Sequence, residues 1–72
     1  MSLGENIRNR REEIGMTTVA LAGRIGVSQP AITQFETNIR IPNAYLFASI
    51  AKALGISMDA LMYGGKAGKG TK

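Results

Sequence analysis

Cysteine and histidine are both absent from this chain. Without them no disulfide can staple the fold and the usual zinc sites cannot form, so packing alone must hold it together. The lack of cysteine fits a reducing compartment. No uninterrupted apolar segment approaches the ~20 residues that cross a bilayer. Nor does a basic stretch followed by an apolar run open the sequence, as it would in a signal peptide. A cytoplasmic protein with no membrane association is the expectation. Acid–base chemistry also lacks its commonest groups. Glu5, Glu12, Glu13, Glu36 and Asp59 are scattered with no paired arrangement, and no glycine-rich phosphate loop follows a strand. The chain therefore reads as a non-enzyme, with no metal, no cofactor and no small-molecule ligand evident.

Positive charge looks abundant but is unevenly placed. The formal net charge is +4. Residues 1–63 hold Arg8, Arg10, Arg11, Arg24, Arg40 and Lys52 against the five acids, a net of only +1. The remaining cations, Lys66, Lys69 and Lys72, fall in a glycine-rich stretch. Net charge alone does not point to nucleic acid. Pattern has to carry that inference.

Seventy-two residues make one domain. Helical spacing divides it into five segments with a tail, and strand-like alternation is missing. Ser2-Leu3-Gly4-Glu5 has the capping-box form, and Leu3, Ile7 and Ile14 recur at helical spacing up to Gly15. Thr17 can cap a second helix with Val19, Leu21, Ala22 and Ile25 as its apolar residues, stopping at Gly26. Ser28 can cap a third, with Pro30 in the first turn, where a missing amide costs little. Asn38 suits a left-handed turn. Pro42-Asn43 restarts the chain, Phe47, Ile50, Ala51 and Leu54 form the stripe of a fourth helix, and Ser57 caps a short fifth. Tyr45, Met58, Met62 and Tyr63 are expected in the core or at its edge. Residues 1–63 form the expected domain and 64–72 a flexible Gly/Lys tail, which could also be a linker stump. The fold class is all-α, a five-helix bundle.

The informative stretch is Thr18 to Phe35. Two short helices joined by a tight turn pack closely only if the first presents a small side chain where they cross, and Ala22 is that residue. Gly26, four later, can take the positive φ that the turn needs. Ile32, six beyond the glycine, closes the back with Val27 and Phe35. This spacing is that of a helix-turn-helix. On the third helix Gln29, Thr33 and Thr37 share a stripe with Pro30 and Gln34 beside it, opposite Ile32 and Phe35. A polar helix face is ordinarily the solvated one. Here it carries no formal charge, and glutamine and threonine can both read base edges.

At this point the chain resembles the lambda-repressor-like (Cro/repressor, XRE-type) helix-turn-helix transcriptional regulators. The resemblance covers roughly residues 3–62 and rests on Ile7 to Thr17, Leu21-Ala22, Gly26-Val27-Ser28, Ile32, Phe35-Glu36, Pro42 and Ala51 to Ser57. Asn38 stands where the family has glycine, and Thr18 where it usually has a phosphate-binding glutamine. The resemblance implies sequence-dependent binding of double-stranded DNA, with a recognition helix over about residues 28–37 in the major groove. Gln29, Thr33 and Gln34 would read bases. Arg11, Thr17, Thr18, Thr37, Asn38 and Arg40 would hold the backbone, with Arg11 paired to Glu36. Relatives commonly pair through the last helix, and the apolar excess at Met58, Leu61 and Met62 fits a homodimer contact. A repressor is the implied role. Two other readings stay open: an antitoxin-type or adaptor module on the same fold, or the DNA-binding fragment of a longer repressor.

Overall fold

Each helix of this protein begins with a residue whose side-chain oxygen accepts a hydrogen bond from the amide three positions on. That contact satisfies one of the donors a helix start leaves free. A computed structural model describes residues 2–64. In it Ser2 caps α1 (Leu3–Glu13), Thr17 caps α2 (Thr18–Ile25), Ser28 caps α3 (Gln29–Glu36), Asn43 caps α4 (Ala44–Ala53) and Ser57 caps α5 (Met58–Tyr63). At α1 the box is reciprocal: Glu5 N donates to Ser2 Oγ at 3.1 Å, and Ser2 N to the Glu5 carboxylate at 3.1 Å. Pro30 lies in the first turn of α3. The expected tail lies outside the described residues, except for Gly64 at the end of α5. Among the described residues no helix is long and apolar enough to cross a membrane.

The apolar stripes converge on one core. Ile7, Leu21, Ala22, Ala31, Ile32, Phe35, Phe47, Ile50, Ala51, Leu54 and Leu61 are all buried in it. Helix α1 packs against α3 and α5, α2 against α3 and α4, and α4 against α5. Polar side chains fix the helix ends. Arg10 Nε donates to Leu54 O at 3.0 Å, satisfying a carbonyl at the end of α4. Buried Asn6 does the same for α5, its Nδ2 donating to Leu61 O at 3.0 Å and Met62 O at 3.2 Å.

Several sequence expectations need correction. Val19 and Ile14, assigned to apolar stripes, are exposed. On α2 the inward positions are 21, 22 and 25, and Val19 sits off that arc. Tyr45 and Tyr63 are among the most exposed side chains, and Met58 and Met62 are also open to solvent. Leu61 moves the other way. At 1% exposure it belongs to the core of its own chain, so it cannot form a dimer contact.

Candidate nucleic-acid interface

The turn between α2 and α3 has the geometry that the Ala22–Gly26–Ile32 spacing predicts. Gly26 adopts φ 76°, and both Gly26 N and Val27 N donate to Ala22 O, at 2.9 and 3.0 Å. Ala22 and Ile32 are buried between the helices, and Val27 packs against the core. With those residues turned inward, α3 presents Gln29, Pro30 and Thr33 to solvent, with Gln34 half-buried beside them. A side-chain network ties this face to α2. Gln29 Nε2 donates to Thr18 Oγ1 and to Thr33 Oγ1, each at 3.1 Å. Thr18, in the position where relatives usually carry glutamine, is thus already joined to the first residue of α3.

Behind α3 lies an ion pair with little access to water. Arg11 Nε donates to Glu36 Oε2 at 2.6 Å and Nη2 to Oε1 at 3.1 Å, a bidentate arrangement. Arg11 Nη1 also donates to Met16 O at 2.8 Å, so one guanidinium on α1 holds both the segment leading into α2 and the end of α3. The side chains are 11% and 7% exposed. The hydrogen bond to Glu36 raises the Arg11 pKa above its ordinary value, against the opposing pull of burial. The cation therefore stays charged at every accessible pH.

The loop after α3 holds a second cation in place. Arg40 lies over the Phe35 ring, its guanidinium carbon 5.6 Å from the centroid. Its amide donates to Gln34 O at 3.1 Å, while the side chain stays open to solvent. Asn38 adopts the left-handed conformation, φ 64°, that the sequence predicts for it.

Two residues expected at phosphates are engaged inside the fold. Asn38 Oδ1 accepts from Gly4 N at 3.0 Å and its Nδ2 donates to Ser2 Oγ at 2.9 Å, so the side chain clasps the start of α1. Thr37 Oγ1 donates to Thr33 O at 2.8 Å, capping α3 with the proton a phosphate contact would need. Thr17 Oγ1 accepts from Ala20 N at 3.0 Å, and as an acceptor it keeps its own proton for an outward bond. Gly4 is a positioning residue that sequence reasoning passed over. Its Cα faces the α3 backbone so closely that an added Cβ would lie 2.4 Å from Glu36 O. The signal for it was available: Gly4 shares the inward arc of Leu3 and Ile7 in a helix with no turn to explain a glycine.

Known proteins place this geometry. Residues 7–61 match the Helix-turn-helix family. Over 58 residues the chain is 41% identical to an uncharacterized HTH-type transcriptional regulator, Rv0474, of Mycobacterium tuberculosis (strain ATCC 25618 / H37Rv), covering 81% of this chain and 41% of that protein. Over 62 residues it is 39% identical to Repressor protein C2 of Salmonella phage P22, covering 86% of this chain and 29% of the repressor. The chain thus spans less than half the length of these curated relatives. Its fold matches the P22 c2 repressor protein crystallised with synthetic operator 9T, with a TM-score of 0.83 and 38% identity over 89% of this chain and 97% of that one. It also matches SinR in complex with DNA, with a TM-score of 0.76 and 25% identity over 82% of this chain and 95% of that one. The chain belongs to the lambda-repressor-like helix-turn-helix family of transcriptional regulators.

Proposed function

We propose that this chain binds double-stranded DNA in a sequence-dependent way, as the DNA-binding unit of a transcriptional repressor that works as a homodimer. One observation carries the reading: a short helix, held by a tight turn, offers solvent an uncharged face of Gln29, Thr33 and Gln34 beside anchored cations. Those three side chains read base edges in the major groove. Arg40, Thr17, Thr18 and the remaining donors of Arg11 contact phosphates. Thr37 and Asn38 support them by fixing the end of α3. The P22 c2 repressor, crystallised with a synthetic operator, and SinR, crystallised with DNA, support the reading of this fold as a DNA binder.

A homodimer follows from the economics of recognition, since one short helix reads few bases and two-fold symmetry doubles the contact. With Leu61 buried, Met58 and Met62 on α5 remain as its exposed apolar contacts. An interaction module of the antitoxin or adaptor type would be expected to show apolar residues on the outward face of α3. Of the outward residues Gln29, Pro30, Thr33 and Gln34, Pro30 alone is apolar, and the exposed Ile39 and Ile41 lie in the loop that follows the helix.

Selection from a randomised duplex pool tests the reading. The expected result is a palindrome with half-sites about 34–36 Å apart, one helical turn. A folded protein that enriches no sequence would refute it. On the selected site, Gln34→Ala is expected to weaken binding by about 1–3 kcal/mol while leaving non-specific affinity nearly unchanged. Equal loss on both DNAs would remove Gln34 from the base-reading set. Arg40→Ala is expected to weaken all sequences alike and to lower the slope of log K against log salt by about one. Titrations at several salt concentrations read that slope directly.

A further inference from the structure

The network at the start of α3 constrains what Gln29 can recognise. A primary amide nitrogen carries two protons. Gln29 Nε2 directs one to Thr18 Oγ1 and the other to Thr33 Oγ1, each at 3.1 Å. Both donors are engaged within the protein, and the carbonyl oxygen Oε1 is the atom left to meet a ligand. The two threonines flank the amide from different helices. Thr18 opens α2, and Thr33 sits one turn further along α3. The next residue is Pro30, which has no amide proton to substitute for the missing donor.

We propose that Gln29 is an acceptor-only reader, selecting a base that presents an exocyclic amino group on its major-groove edge and rejecting one that presents oxygen there. This rests on the reading of α3 as the base-contacting helix and specifies the chemistry at one of its positions. In the major groove adenine offers N6 and cytosine offers N4 as donors, whereas guanine offers O6 and N7 and thymine offers O4, all acceptors. A glutamine free to use both ends pairs with N6 and N7 of adenine and so separates adenine from cytosine. Gln29, held by its nitrogen, accepts from either amino group and separates them poorly. Thr18 and Thr33 are positioning residues: they orient the amide, and each hydroxyl keeps its own proton for an outward bond.

Duplex selection with the full chain tests this, comparing wild type, Gln29→Ala and the double variant Thr18→Val/Thr33→Val. Melting followed by circular dichroism verifies that each is folded. Valine keeps the shape of threonine but removes both acceptors, which frees Nε2. In wild type, the position that loses its preference in Gln29→Ala is expected to accept adenine and cytosine within about threefold of one another, with guanine and thymine depleted. In the double variant the ratio of adenine to cytosine at that position is expected to rise on the order of tenfold, the scale of one bidentate pair. Three results would overturn the proposal while leaving base reading intact. These are guanine or thymine at that position, a sharp preference for adenine alone in wild type, and no altered position in Gln29→Ala when other positions are still read. Failure to enrich any sequence would instead sink the reading of α3 on which the proposal rests.

Discussion

Glu36→Ala is expected to destabilise this domain by about 3–5 kcal/mol, because it strands the Arg11 guanidinium in a site with little access to water. Total stability for a chain of this length is on the order of 4–10 kcal/mol, so the variant should be partly unfolded at 37 °C. The loss would arise from the charge left behind rather than from any large net stabilisation by the pair. Replacing both partners separates those two causes. Arg11→Met combined with Glu36→Leu removes the charge together with its counterion, and is expected to recover most of the stability. The Met16 carbonyl loses its donor in that variant, so recovery should fall somewhat short of complete. Urea denaturation of the singles and the double gives the coupling energy. A single variant losing less than about 1 kcal/mol would mean that water reaches the guanidinium and the pair behaves as a surface one. The double variant also isolates function. If the pair serves only stability, the refolded double variant binds DNA as wild type does; if Arg11 also reaches a phosphate, affinity stays low.

What was legible in the sequence follows the range of the interaction that produces it. The helix starts could be read because a cap joins residues three apart: Ser2, Thr17, Ser28, Asn43 and Ser57 each act through the amide of their own first turn. The turn at Gly26 and the left-handed Asn38 were likewise local demands on φ. The core positions of α3 and α4 followed from periodicity, since Ile32, Phe35, Phe47, Ile50, Ala51 and Leu54 are all buried. Periodicity failed where one helix has more apolar residues than its buried arc can hold. It could not say that Leu61 turns inward while Met58 and Met62 do not, nor that Tyr45 and Tyr63 face water. The pairing of Arg11 with Glu36, 25 positions apart, came from family resemblance, because nothing in local chemistry links them. Polar contacts between elements that the resemblance did not supply were missed. Asn38 was read as a phosphate contact from the family resemblance, but its amide closes on Gly4 and Ser2, 34 and 36 positions away. The bond from Gln29 to Thr18 escaped notice because it crosses the turn, and only the angle between α2 and α3 brings the two side chains within 3.1 Å.

The contact that holds α1 against the end of α3 makes Gly4→Ala the more specific test of this architecture. Alanine is normally the better helix former by ~1 kcal/mol, so substitution within α1 would ordinarily help. Here the new Cβ would lie 2.4 Å from Glu36 O, 2.5 Å from Phe35 O and 2.7 Å from Glu36 C. All three are backbone atoms, and none can yield by rotating a side chain. Either α1 withdraws, breaking the bond from Gly4 N to Asn38 Oδ1, or the last turn of α3 shifts and carries Glu36 away from Arg11. Overpacking of this kind costs about 1–3 kcal/mol and sometimes more. A rigid backbone contact belongs at the upper end, so a net loss of about 2 kcal/mol is expected after the gain in helix propensity. For a domain of this size that lowers Tm by on the order of 10 °C. Gly23→Ala supplies the control. Gly23 lies inside α2, and an added Cβ there meets nothing within 4 Å. That variant is expected to gain about 0.5–1 kcal/mol and to melt a few degrees higher. Opposite signs for the same substitution in two helices would locate the effect in the contact between α1 and α3. Two variants of equal stability would mean that α1 can slide away from α3 without loss. The α3 side chains would then depend on α2 alone for their placement.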